Sequence, residues 1–169
     1  MCGAELTPLP EGVQRVTSFL QAAGHTSTPR MLQDAARTAQ QAADALGVEL
    51  GQIAKSIIFK RKSDDAAVLV ITSGDKRVDE AKVQALVCDG NAKLGRADAD
   101  FVKLKTGFSI GGVSPVAHLT APVTLLDQEL FRFETIWAAA GHPNALFEVS
   151  PQALQLLTKA PVADVALSI

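Results

Sequence analysis

Apolar residues recur at helical spacing in two segments near the N-terminus. Between Glu11 and Ala23 they fall three or four positions apart, and Gly24 is a typical residue at a helix end. The following segment, His25 to Met31, is rich in Thr, Ser and Pro and predicts a loop leading into a short extended piece. A second helix is predicted from Thr38, as its cap, through Leu46, with Gly47 ending it.

The middle of the chain changes to the pattern of strands. Ile53 to Arg61 and Ala66 to Thr72 are rich in β-branched residues, and the charged sequence Lys62 to Asp65 separates them. This arrangement predicts a β-hairpin. Residues 73 to 75 form the next predicted turn, and Asp79 is expected to cap a helix whose apolar side carries Ala81, Val83, Leu86 and Val87.

Helical and extended segments then alternate irregularly. A short helix is predicted over Ala97 to Lys105, and Thr106 to Pro122 has no helical periodicity but several Gly and Pro residues. Further strands and a closing helix are predicted at Val123–Leu126, Phe133–Ala138, Leu146–Val149 and Pro151–Thr158. Helices mixed irregularly with short strands indicate an α+β fold, and we expect residues 1–169 to form a single domain.

Composition and charge exclude some classes of function. The formal net charge of −2 argues against a protein that coats nucleic acid, and the absence of Tyr argues against an extensive base-stacking surface. Residues 51–110 nevertheless hold 11 basic against 8 acidic side chains. This middle part could face a phosphate backbone, or the excess could be an ordinary scatter of surface charge.

Cysteine and histidine positions give no metal-binding pattern. Cys2 and Cys88 lie far apart, as do His25, His118 and His142, so neither a disulfide framework nor a metal site is expected. No leader-like segment and no apolar stretch of about 20 residues is present. We therefore expect a cytoplasmic protein without a membrane partner.

Lys55 occupies an unusual place in the first predicted strand. Alternation puts it on the same side as Ile53, Ile57 and Phe59, which are expected to be buried. An inward ammonium is costly unless it meets an acid, a carbonyl or an anionic ligand. The alternatives are a lysine that protects a sheet edge or one that extends to the surface.

A second candidate site is the segment Gly111-Gly112-Val113-Ser114-Pro115. Two glycines followed by a proline can direct successive amides toward one point, such as the carbonyl oxygen of a bound ester. The alternative is a tight connection between two elements. It is not a phosphate-binding P-loop, because the Lys and Ser/Thr of that motif are missing.

No protein nucleophile is indicated. Ser114, Ser109 and Thr106 lack a surrounding G-x-S-x-G motif and a base at a recognisable spacing. Asp127 and Glu129 follow a predicted strand and could form a carboxylate pair, although acids in such a loop are more often solvated. His142 lies in a predicted turn, where it could line a ligand pocket, stabilise the turn or be exposed.

Four segments in order resemble one family. They are Ala39-Gln40-Gln41-Ala42-Ala43-Asp44-Ala45-Leu46-Gly47, Ile53-Ala54-Lys55-Ser56, Gly111-Gly112-Val113-Ser114-Pro115 and Ala140-Gly141-His142. Their order and separation resemble the YbaK family of aminoacyl-tRNA deacylases, related to the editing domain inserted in bacterial prolyl-tRNA synthetases. The similarity extends from about Thr28 to Ile169.

The resemblance implies a YbaK-like fold, with a mixed, mostly antiparallel, barrel-like sheet surrounded by helices. It also implies a hydrolase that cleaves the ester of a mischarged tRNA without metal or organic cofactor. Lys55 would hold the substrate end, and the amides of Gly111 to Pro115 would meet the carbonyl. Water is the implied nucleophile, helped by the ribose hydroxyl of the substrate. We predict further substrate contacts at Ser56, Ile57 and His142.

Several points stay open at this stage. The implied partners are the tRNA acceptor end and, for some members, an aminoacyl-tRNA synthetase. Ser56 stands where deacylases that clear cysteine often have Thr, so the edited amino acid is open among small residues. Alternatives are a binding module that uses the same pocket without turnover, and a hydrolase of small esters unrelated to tRNA. The near-neutral charge favours these two alternatives weakly.

Overall fold

The computed structural model describes residues 9–34, 36–90 and 92–168. In this part of the chain, the α-helices are α1 (Glu11–Ala22), α2 (Ala39–Leu46), α3 (Glu80–Val87), α4 (Ala99–Thr106) and α5 (Pro151–Thr158). The strands are β1 (Arg30–Met31), β2 (Ile53–Arg61), β3 (Ala66–Ser73), β4 (Leu94–Arg96), β5 (Val123–Asp127), β6 (Ile136–Ala139), β7 (Ala145–Val149) and β8 (Val162–Ala163). Short 3-10 turns cover Leu50–Gln52 and Gln128–Arg132.

All eight strands join one mixed sheet. Its order is β1-β7-β6-β2-β3-β5-β8, and β4 pairs with β2 beside this path. The pairs β1–β7, β2–β3, β2–β4 and β6–β7 are antiparallel, whereas β2–β6, β3–β5 and β5–β8 are parallel. The helices surround this sheet in an α+β arrangement, as the sequence predicts.

Strand β3 of the central hairpin is buried on both faces. Along β3, Leu69 and Ile71 belong to the main hydrophobic cluster, while Val68 and Val70 belong to a second cluster on the opposite face. Helices α1, α4 and α5 contribute to the main cluster, and α3 contributes to the second. A third, smaller cluster lies under α2. A strand covered on both faces has a continuous apolar sequence, as β3 does.

Local sequence explains where the helices begin. Thr38 and Gln41 form a capping box at the start of α2. The side chains of Asp79, Asp98 and Ser150 accept hydrogen bonds from backbone amides at the starts of α3, α4 and α5. The predicted cap at Asp79 is thus confirmed.

Several predicted details were wrong. Strands β4 and β8 were not predicted, since three and two residues are too few for an alternating pattern. The strand predicted from Phe133 begins at Ile136, because a 3-10 turn extends through Arg132. On α3, Val83 is fully buried, but Leu86 is 54% exposed. The second cluster covers only a narrow stripe of that helix.

None of the described helices combines the length and apolar character needed to cross a membrane.

Candidate active site

Lys55 lies on β2 in a gap between two hydrophobic clusters. Its neighbours on the same face are Ile53, which packs in the cluster under α2, and Ile57 and Phe59, which pack in the cluster under α3. The lysine side chain is half-buried, and its Nζ donates a hydrogen bond of 2.8 Å to the Lys76 carbonyl oxygen. The inward ammonium therefore forms its hydrogen bond with a backbone carbonyl oxygen and not with a carboxylate.

Burial and charge both act on the Lys55 ammonium. Burial lowers the pKa of Lys55 below its ordinary value, and the positive charge of Arg77 lowers this pKa further. The carboxylates of Asp75 and Asp127 act in the opposite direction. Lys76 O is the one acceptor recorded for Nζ among the described residues, so two of its three N–H donors stay available for a ligand.

The turn that carries Lys76 is fixed by a polar network which the sequence did not predict. Arg132 forms two hydrogen bonds with the Asp75 carboxylate, of 2.8 and 3.1 Å, and a third of 2.9 Å with Ser73 Oγ. Bidentate arginine–carboxylate pairs fix geometry as well as charge. The network therefore sets the position of the carbonyl that receives Lys55.

Asp127 supports the same turn from inside the protein. Its carboxylate is fully buried and accepts hydrogen bonds from Thr72 Oγ1, at 3.0 Å, and from the Ser73 and Glu129 amides, at 3.2 and 3.0 Å. The expectation that Asp127 is solvated was wrong. A buried carboxylate is tolerated here because three donors satisfy it.

One cavity of about 230 Å³ adjoins Lys55. It brings together six of the nine predicted site residues, namely Lys55, Ser56, Ile57, Gly111, Val113 and His142. The segment before and within α2 supplies an additional wall that the sequence analysis missed, made of Ala36, Arg37, Thr38, Ala39 and Ala42. The other predicted residues, Gly112, Ser114 and Pro115, do not line the cavity.

The glycine loop presents fewer amides than its sequence suggests. Gly112 N–H donates to Ser109 O at 3.0 Å, and Pro115 has no N–H. Within the described residues, no acceptor is recorded for the amides of Gly111, Val113 and Ser114. Of these three residues, Gly111 and Val113 line the cavity, so theirs are the amides that the loop can offer to a ligand.

Gly112 is required by close packing rather than by its backbone angle. A Cβ added there would lie 2.8 Å from the Cα of His142, closer than real Cβ atoms approach. Gly111 instead has a positive φ of 96°, a conformation that favours glycine. The two glycines therefore bring the loop against the turn that carries His142.

Ser114 is a structural residue in this loop. It is fully buried, its Oγ accepts from Val116 N–H at 3.1 Å, and its carbonyl accepts from His118 Nε2 at 2.6 Å. Burial, followed by the nearby Arg15 charge, lowers the pKa of His118, while its hydrogen bond to Ser114 raises it. Thr106 is buried as well and donates to the Val102 carbonyl. Neither hydroxyl is paired with a base.

His142 both stabilises its turn and lines the cavity. Its Nδ1 accepts a hydrogen bond of 3.0 Å from the Asn144 amide. In the neutral ring the proton then lies on Nε2, which makes that atom a donor. His142 can therefore offer an N–H to a group bound in the cavity.

Ser56 is a further polar residue of the cavity. Its Oγ is the one side-chain polar atom in residues 9–34, 36–90 and 92–168 that is buried without a hydrogen-bond partner. Buried hydroxyls are normally paired. The unpaired Oγ thus marks a position where a bound molecule can form a hydrogen bond.

Over the described ranges, no three or more His, Cys, Asp and Glu side chains are grouped in a way that could hold a metal ion.

Comparison with known proteins relates this chain to a family of editing domains. The model of the family described as the aminoacyl-tRNA editing domain matches residues 33–157. YwhH of Bacillus subtilis is 34% identical over 69% of this chain and 72% of its own length. EbsC of Enterococcus faecalis, named as a proposed Cys-tRNA(Pro)/Cys-tRNA(Cys) deacylase, is 27% identical over 76% of each chain.

A solved structure agrees with the sequence relatives. It is described as a proposed trans-editing enzyme for prolyl-tRNA synthetase and superposes with a TM-score of 0.87 and 38% identity. The match covers 95% of this chain and all of that one. The family model, a relative above 30% identity and the full fold all agree. The chain therefore belongs to the aminoacyl-tRNA editing domain family.

Proposed function

We propose that this protein is a trans-acting deacylase that hydrolyses the ester bond of a mischarged aminoacyl-tRNA. The observation that carries this proposal is the cavity in which Lys55, Ser56, the glycine loop and His142 meet. All four features lie in the part of the chain that matches the editing family. The names of EbsC and of the structural relative support the same reaction.

The cavity suits a small amino acid. Its volume of about 230 Å³ is below the roughly 300–1,000 Å³ of typical ligand pockets. Alanine residues form much of the wall, at positions 36, 39, 42, 54, 139 and 145. We propose that the aminoacyl group enters this cavity while the adenosine stays outside, and that the amino acid is Ala, Ser or Cys.

The proposed reaction needs no protein nucleophile. The oxygen of a water adds to the ester carbonyl carbon, and the amides of Gly111 and Val113, which line the cavity, stabilise the negative oxygen that forms. The bond between that carbon and the ribose oxygen then breaks. The proton lost by the water ends on the ribose oxygen, and free amino acid and uncharged tRNA are released. Lys55 anchors the substrate through its free N–H donors.

The proposed partners are the acceptor end of tRNA and a prolyl-tRNA synthetase, in the cytoplasm. Arg37 lines the cavity with an exposed side chain, and Arg77 is exposed close to Lys55. Both can contact phosphates of the acceptor end. The EbsC name and the structural relative point to tRNA(Pro).

Deacylation of a panel of mischarged tRNAs tests this function. Ala, Ser, Cys and Thr esters of tRNA(Pro), with matched esters of their cognate tRNAs, would be incubated with wild type and with Lys55→Ala. We expect one small amino acid to be released and Lys55→Ala to be at least about 100-fold slower. Lys62→Ala is the matched control, because Lys62 is exposed on the same hairpin.

Three outcomes would contradict the proposal. Full activity of Lys55→Ala would show that Lys55 does not contribute to the reaction. Binding of tRNA without hydrolysis of any ester would indicate a binding module. Hydrolysis of small-molecule esters at the same rate in the presence and in the absence of RNA would indicate a hydrolase unrelated to tRNA.

A further inference from the structure

Helix α1 lies outside the residues that match the family model, yet it contacts both loops of the candidate site. We propose that Arg15 on α1 is a positioning residue, which holds the Gly111–Pro115 loop in the geometry needed to meet the ester carbonyl. The part of this inference that concerns the reaction rests on the proposed function. The part that concerns the loop can be measured without activity.

One guanidinium binds the chain on both sides of the glycine loop. Arg15 Nη2 donates to Thr106 O and to Ala117 O, each at 2.7 Å, and Arg15 Nε donates to Ala117 O at 3.1 Å. Thr106 precedes the loop and Ala117 follows it. Arg15 therefore fixes the distance between the two ends of the segment that carries the site amides.

A ring contact and the packing of α1 hold the guanidinium in place. Its Cζ lies 4.3 Å from the centroid of the Phe108 ring, within the range of cation–π attraction. Phe108 is almost fully buried, and Val13 and Val16 anchor α1 in the same main cluster. The arginine is thus held on a rigid element rather than on a mobile loop.

The Ala117 backbone needs such support. Its φ of 66° lies in the left-handed region, which costs a non-glycine residue about 1–2 kcal/mol. Strained conformations persist when neighbouring contacts determine them. Two donors from Arg15 on the Ala117 carbonyl, and the hydrogen bond from the adjacent His118 to Ser114, supply those contacts.

The same helix supports the turn that carries His142. A Cβ added at Gly12 would overlap the carbonyl oxygen of Gly141. Gly12 thus lets the backbone of α1 touch the backbone of this turn. Through Arg15 and Gly12, one helix sets the positions of two separate cavity walls relative to each other.

Kinetics of Arg15 variants test the effect on the reaction. For the ester that wild type hydrolyses, we expect Arg15→Ala to lower kcat by about 10- to 100-fold with KM changed less than about threefold, because the Lys55 side of the cavity is untouched. Arg15→Lys should not restore kcat, since its ammonium lacks the fixed fork of donors. Added methylguanidinium should restore part of it in Arg15→Ala. Ser18→Ala, on the exposed side of α1, is the control.

Amide hydrogen exchange tests the effect on the loop independently of activity. We expect exchange within residues 106–118 to be faster in Arg15→Ala than in wild type or Ser18→Ala, with exchange in β2 and β3 unchanged. Unchanged exchange in 106–118 would overturn the inference. So would an unchanged kcat, a change confined to KM, or full recovery by Arg15→Lys. If wild type hydrolyses no ester, the proposed function fails, and the exchange result alone decides whether Arg15 holds the loop.

Discussion

Replacing Lys55 by Met separates the binding role of this residue from its contribution to stability. Methionine keeps an unbranched, flexible apolar chain in the gap between the two clusters, and it removes the ammonium. The change therefore acts on the charge and on one hydrogen bond, that to the Lys76 carbonyl. We expect activity to fall at least about 100-fold.

The expected change in the free energy of unfolding is small because two effects oppose each other. A hydrogen bond from a charged group contributes roughly 1.5–3 kcal/mol, and its loss leaves the Lys76 carbonyl without this donor. Removing a half-buried ammonium also removes its desolvation cost, which is the main cause of the lowered pKa of Lys55. We expect a net change within about 1 kcal/mol.

The direction of the pH dependence follows from the same pKa. Because burial lowers the pKa of Lys55, the native protein releases this proton at a lower pH than the unfolded chain does. Between the two pKa values the unfolded chain binds more protons, so wild-type stability rises with pH in that alkaline window. Lys55→Met lacks this contribution.

Urea unfolding gives the required measurement. Trp137 is the one tryptophan of the sequence, and its backbone pairs with Ile53 on β2, so its fluorescence should report on unfolding of this sheet. Unfolding would be compared at neutral and alkaline pH for wild type, Lys55→Met and the exposed Lys62→Met. If Lys55→Met lowered the free energy of unfolding by more than about 3 kcal/mol, or if it retained deacylation activity, the substrate-binding role assigned to Lys55 would be refuted.

Three further predictions concern neighbouring residues. Gly112→Ala places a Cβ against the His142 backbone, so we expect the free energy of unfolding, measured by thermal unfolding, to fall by about 1–3 kcal/mol and kcat to fall as well. Unchanged values of both would contradict this packing. Ser56→Ala removes a buried hydroxyl that has no hydrogen-bond partner, so the free energy of unfolding should stay unchanged or rise by up to about 1 kcal/mol. We also expect KM to increase. A clear loss of stability would show that the hydroxyl has a partner in the protein. The hydrogen bond from Arg132 lowers the pKa of Asp75, so in acid titrations wild type should lose stability as pH falls through that lowered pKa, and Asp75→Asn should not.

The sequence predicted the central hairpin and the inward Lys55 because these depend on local patterns. Two runs rich in β-branched residues with a charged turn between them define β2 and β3, and alternation along β2 keeps Lys55 on the face shared with Ile57. The helix caps at Thr38 and Asp79 were also predictable, because each depends on residues within one turn.

Contacts between distant segments were not predictable in the same way. Asp127 is buried because Thr72 and Ser73, more than 50 positions away, supply donors. The α2 wall of the cavity and the bonds from Arg15 to Ala117 likewise depend on tertiary packing. In the glycine loop, composition indicated exposed amides, but only the fold shows that Gly112 uses its amide internally.

The contact between Gly12 and Gly141 has an evolutionary consequence. Each glycine occupies the space that a side chain on the other would need, so a Cβ at either position collides with backbone rather than with a movable side chain. A substitution at one position alone is therefore not accommodated by rotating a neighbour. Among relatives that retain the N-terminal helix, both positions should therefore remain glycine. Relatives that lose the helix should still favour glycine at position 141, because its φ of 92° lies in the left-handed region.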